Sequence, residues 1–170
     1  AFSLTDTRLA LIASFSYGSY FLVTLIGIYI SSRLDPRKSL IAGGLAAAFG
    51  MLLTAFATDY RILALGVAIA GVSPGLAYTT ISGLIAALVS QSRQRTIYAI
   101  VNSGTSLGVV LSAPLAILLA DQWRWCWIVF AGFSITSTWW CAKVIPPVPQ
   151  AALSDKTRLR RGGLFRSLSV

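Results

Sequence analysis

Five stretches of this chain run for roughly twenty residues or more with no charged side chain in their interior. They span 9–31, 39–57, 62–89, 97–120 and 123–144. A hydrocarbon core about 30 Å thick is crossed by a helix of about 20 apolar residues. In lipid the backbone must satisfy its own hydrogen bonds, so segments of this length are helices and not isolated strands. A charge at the centre of such a helix costs about 2.5–3.5 kcal/mol. The 14 Lys and Arg and the 5 acidic residues, all Asp, fall instead in the breaks or at segment ends. The expected fold is therefore all-α: a polytopic bundle of five transmembrane helices over residues 1–145, followed by a basic tail over 146–170.

The breaks set the direction in which the chain threads. The break Ser31–Lys38 carries Arg33, Arg37 and Lys38. The break after the third segment carries Arg93 and Arg95, and the tail region carries Lys143, Lys156, Arg158, Arg160, Arg161 and Arg166. The alternate positions hold one basic residue each: Arg8, Arg61 and Arg124. Basic residues collect on the cytoplasmic side. The first break, the third break and the tail are expected inside, and the N-terminus outside. An outside N-terminus without a signal segment, in a chain beginning at Ala1, is the expectation for a fragment that lacks one upstream helix. In the tail, Leu159, Leu164, Phe165 and Leu168 are interspersed with the basic residues. That pattern reads equally as an interfacial helix on anionic lipid or as a solvated tail.

Only 11% of residues are charged and 56% are hydrophobic, with a mean hydropathy of +0.75. A soluble domain carries about 25% charged residues. The net charge of +9 is thus read as membrane topology, with the lipid bilayer as partner and no nucleic acid. Cys126 and Cys141 lie about 22 Å apart along one helix and cannot pair within it. The chain has no histidine and no Cys/His cluster, so neither a metal site nor a cofactor is expected. With no histidine and no carboxylate inside a span there is no evident general base, and no enzyme activity is expected.

Polar side chains inside spans are the candidate functional groups. They gather in three places: Tyr17, Ser19, Tyr20 and Thr24 in the first segment; Ser73, Tyr78, Thr79, Thr80 and Ser82 in the third; and Asn102, Ser103, Thr105 and Ser106 in the fourth. Asn102 and Tyr78 are the largest hydrogen-bonding groups. With Thr79, Ser73 and Tyr20 they are the candidates for lining a polar path. Each of them could instead serve as an interhelical hydrogen bond, worth about 0.6 kcal/mol on average. Gly71–Gly75 and Gly104–Gly108 have the small-xxx-small spacing of close helix packing, and Pro74 and Pro114 are candidate bending sites.

The break Ser32-Arg-Leu-Asp-Pro-Arg-Lys38 resembles the signature of the major facilitator superfamily between helices 2 and 3, roughly G-x-x-x-D-R-x-G-R-R. In the proline-bearing form, D-R-x-G-P-R-R, Arg33, Pro36, Arg37 and Lys38 match. The signature Asp falls on Ser32, the Gly on Asp35, and the leading Gly on Ile28. Asn102–Gly108 with Pro114 resembles that family's helix 5, and Trp123-Arg-Trp125 the start of its helix 6. Ile117-Leu118 stands where the antiporter form of helix 5 has paired glycines. The resemblance covers nearly all of 1–145 and implies helices 2–6 of a twelve-helix fold, an N-terminal half lacking helix 1. It further implies secondary transport of a small solute by alternating access in the cytoplasmic (inner) membrane, with the second half of the transporter as partner. It makes Ser32, Arg33, Asp35, Pro36, Arg37 and Lys38 a cytoplasmic gate. The residues alone also suit a capping role, with Asp35 as N-cap and Pro36 at the first helical position. A non-transporting membrane scaffold or assembly subunit and an inactive remnant are the competing expectations.

Overall fold

A computed structural model describes residues 5–30 and 35–145. They form six helices: α1 (Asp6–Ile30), α2 (Pro36–Ala55), α3 (Tyr60–Ala70), α4 (Val72–Leu88), α5 (Gln91–Leu118) and α6 (Trp123–Val144). No strand occurs among the described residues. The tail 146–170 and the loop residues Ser32 and Arg33 lie outside them.

The expected third segment is two helices. Its break falls at Gly71, three residues before Pro74. Proline has no N–H to offer the carbonyl four residues back, and its ring clashes with that carbonyl, so the helix gives way in the preceding turn. The α3–α4 pair together with α1, α2 and α5 supplies four helical segments long and apolar enough to cross a membrane: Asp6–Gly27, Pro36–Ala55, Tyr60–Ala86 and Gln91–Leu118. Helix α6 has 22 residues. Five of them are Trp, namely Trp123, Trp125, Trp127, Trp139 and Trp140, grouped toward its two ends. Tryptophan is an interfacial residue and adds little to apolarity, so α6 falls below the other four.

Helix α2 is the centre of the bundle. It packs against α3, α4 and α6, while α1 packs against α3 and α4. The closest approach is between α2 and α3, where Gly50 meets Gly66. A Cβ on Gly50 would stand 2.5 Å from the Ala70 amide nitrogen and 2.5 Å from the Gly66 carbonyl oxygen. Thr54, one turn on, is fully buried and donates its hydroxyl to the Gly50 carbonyl at 2.8 Å. Backbones so close gain dispersion contact along their length, the main source of helix association where no water is displaced. At the α3–α4 break a Cβ on Gly71 would lie 2.6 Å from the Ser16 carbonyl oxygen of α1. The Gly71–Gly75 spacing is thus used for packing. Gly104 and Gly108 have nothing within 4 Å.

Helix α5 stands apart. It touches α4 and α6 only lightly, and none of its residues is buried. Ile100, Leu107, Val109, Val110, Leu111, Ile117 and Leu118 all face outward. That is the composition expected of a surface in contact with lipid or with further helices.

Candidate functional site

The loop motif is built from local rules. The Asp35 carboxylate accepts a hydrogen bond from the Arg37 backbone N–H at 2.9 Å, and Pro36 occupies the first turn of α2. The missing proline N–H is no loss where helix N–H groups have no partner anyway. An N-cap of this kind contributes about 1 kcal/mol. Arg37 reaches away from the loop and donates through Nη2 to the Ala142 carbonyl near the end of α6. Its Nε is buried and has no acceptor. Lys38 is exposed.

At the opposite end of the bundle, Arg8 of α1 lies over the Tyr60 ring at 4.9 Å and Arg61 at 5.9 Å. Arg124 stacks on Trp123 at 5.5 Å and donates through Nη2 to the Ala57 carbonyl at 3.3 Å. At the other end Lys143 lies over the Trp139 ring at 4.1 Å, and cations over aromatic faces at both ends match the belt that membrane interfaces favour.

The polar groups within the helices divide into two kinds. Several hydroxyls turn back on their own helix. Ser14 donates to Ala10, Thr24 to Tyr20, Thr79 to Gly75, Ser103 to Ile100 and Ser112 to Val109, at 2.7–3.1 Å. Back-bonding of this sort satisfies a hydroxyl in an apolar surrounding without a ligand. Thr79 in addition faces α1, where a Cβ on Gly27 would lie 3.0 Å from its hydroxyl oxygen. Ser73 is half-buried beside Gly43 of α2. Tyr20 is 36% exposed on α1.

The Asn102 amide and the Tyr78 hydroxyl both point outward and neither makes a hydrogen bond to another described residue, as is also true of the exposed Tyr17 and Thr105 side chains. The antiparallel register of α4 and α5 is set by the Tyr98 hydroxyl, which lies 3.4 Å from the Ser82 carbonyl. Tyr78 is one turn from Ser82, and Asn102 one turn from Tyr98, both away from the α4–α5 connection. The two groups therefore sit at the same depth on neighbouring helices. Below them, toward that connection, is an open hollow of about 470 Å³ lined by Gln91, Ser92, Gln94, Arg95 and Tyr98. Of the five candidate path residues, the fold thus levels Tyr78 with Asn102 and turns Thr79 and Ser73 into helix contacts. The hollow was not anticipated. Its signal was the run of polar residues Ser90–Thr96, which reads as an ordinary loop.

Long apolar helices, four segments of them extended and apolar enough to cross a membrane, define an integral multi-pass membrane protein. Residues 1–168 match the Major Facilitator Superfamily, and the chain belongs to that superfamily. Among similar proteins is monocarboxylate transporter 12 of Xenopus laevis, 30% identical over 151 residues, covering 86% of this chain and 32% of that protein. The human monocarboxylate transporter 12 is 29% identical over 127 residues, covering 72% of this chain and 24% of that protein. An uncharacterised transporter of Escherichia coli, YgaY, is 27% identical over 124 residues, covering 73% of this chain and 31% of that protein. The chain spans a third or less of the length of these relatives.

Proposed function

We propose that this chain forms part of a secondary transporter that moves a small organic anion, with a monocarboxylate as the first candidate, and that Tyr78 and Asn102 border its path. The observation that carries the reading is the level placement of the pair: two large polar groups at one depth on neighbouring helices, both exposed and neither bonded to another described residue. A polar group in that position is costly unless a water-filled path or a solute meets it. Arg95 in the hollow beneath gives an anion a complementary charge on the cytoplasmic side, and the names of the similar transporters favour the same class. Five spans, with the N-terminus outside and the tail over 146–170 inside, follow from the distribution of basic residues.

Alternating access in such proteins rocks two helical bundles about a site near the midplane. On this reading the described helices work against a second half, and the motif residues Asp35, Pro36, Arg37 and Lys38 lie at the cytoplasmic edge between the two. The test is uptake of radiolabelled monocarboxylate into proteoliposomes containing the complete protein, with a neutral sugar of similar size for comparison. Saturable monocarboxylate uptake is expected. Uptake of neither solute, or of the sugar alone, contradicts the assignment.

A further inference from the structure

We propose that α2 and α6 form one rigid antiparallel unit closed at each end by an arginine strap. In this unit the motif residue Arg37 is a positioning residue committed to its own bundle.

The two helices touch at three levels, stepping in opposite directions along each. At one end Arg37, in the first turn of α2, donates to the carbonyl of Ala142 in the last turn of α6. In the middle, the Ser134 hydroxyl donates to the Gly44 carbonyl at 3.0 Å, and Thr138 fills the space where a Gly44 Cβ would be. At the other end Arg124, in the first turn of α6, donates to the carbonyl of Ala57, two residues past the end of α2. Each helix thus lends an arginine from its N-terminal turn to the C-terminal end of its partner.

Those carbonyls need a donor. The last four carbonyls of a helix have no intrahelical N–H partner, and there the helix dipole is negative. The Ala142 carbonyl lies within that stretch of α6. The Ala57 carbonyl lies beyond α2, in a residue with no exposed surface. A guanidinium meets both requirements, since it donates in a fixed geometry and stays charged. Lysine keeps the charge but loses the planar fork. The strap is therefore separable from the topological role of the charge, which Arg and Lys fill alike.

The test uses the full chain in detergent micelles, with Cys126 and Cys141 replaced by Ala. Spin-label pairs are placed at Lys38 and Val144 for the Arg37 end, and at Phe56 and Trp125 for the Arg124 end. Arg37→Ala is expected to broaden the distance distribution at the 38/144 end while leaving the 56/125 end narrow, and Arg124→Ala to do the reverse. Each variant is expected to lower the melting temperature by roughly 4–8 °C, the scale of one charged hydrogen bond in a chain of this size. Arg37→Lys is expected to broaden the same end as Arg37→Ala, and it carries the test if the alanine variant does not accumulate. Unchanged distributions in both arginine variants, or equal broadening at both ends from either one, overturn the proposal. Full restoration of the 38/144 distribution by lysine would likewise reduce Arg37 to a topological charge.

Discussion

Gly50→Ala is expected to be among the most destabilising single methyl additions in this protein. The added carbon would meet backbone on α3, at 2.5 Å from both the Ala70 nitrogen and the Gly66 oxygen and 3.0 Å from the Ala70 Cα. No side chain can swing aside there, so the helices must separate. Overpacking of this kind costs about 1–3 kcal/mol and occasionally more. Separation also loosens the surroundings of Thr54, which is fully buried one turn away. The expected loss is at the upper end of that range, about 3 kcal/mol, against a small gain of up to about 1 kcal/mol from replacing glycine by alanine within a helix. Gly104→Ala and Gly83→Ala are the controls, because nothing lies within 4 Å of either position, and there the propensity gain stands alone. Thermal melts in detergent should place Gly50→Ala well below the parent protein and both controls at or above it. A Gly50→Ala melt level with Gly104→Ala would show that α2 and α3 do not cross here.

Asn102→Leu in the complete protein is expected to lower monocarboxylate uptake by roughly ten- to a hundredfold without lowering its melting temperature. Asn102 lies on a helix with no buried residue, so its side chain contributes little to packing. A hydrogen bond to a charged ligand is worth about 1.5–3 kcal/mol, which sets the size of the effect. Tyr78→Phe removes a single hydroxyl at the same depth and is expected to act in the same direction, more weakly. Thr79→Val is the internal contrast. Its hydroxyl is already satisfied by the Gly75 and Leu76 carbonyls at 2.9 and 3.1 Å, and the substitution should leave the affinity for solute unchanged. Rate and affinity measured across the three variants separate a solute contact from a packing defect.

Much of this architecture was legible in the sequence because charge is so costly in lipid. The placement of Asp35, Asp59, Arg93 and Arg124 marked the helix ends, and the Asp35-Pro36 cap was readable from residue type alone. Helix α5 begins at Gln91, about two turns before its apolar stretch, since polar residues can extend a helix beyond the hydrocarbon. Which faces meet was not legible. A helix that is apolar all round carries no stripe to show its inner side, and identical glycine spacings had opposite outcomes: Gly71–Gly75 packs against α1, Gly104–Gly108 against nothing described. The crossing at Gly50 and Gly66 and the seat of Thr138 at Gly44 depend on tertiary approach, which spacing does not encode. Arg124 read as a lone charge in a break, and only the tertiary position of Ala57 gives its guanidinium a hydrogen-bond acceptor. Among the polar candidates, the sequence could not separate hydroxyls that fold back on their own helix from the Asn102 amide, which cannot do so as readily.

The central claim is that a water-accessible path borders Asn102 between α4 and α5. The most direct measurement is the reaction of a membrane-impermeant maleimide with a single cysteine at Asn102 or at Leu111, in the complete protein with Cys126 and Cys141 replaced by Ala. The two positions are nine residues apart, on opposite faces of α5, and Leu111 is 69% exposed in the structure. The account predicts that the cysteine at 102 reacts and is slowed by saturating monocarboxylate, while the one at 111 stays unreactive against lipid. Equal reactivity at the two positions, or an unreactive cysteine at 102, contradicts it.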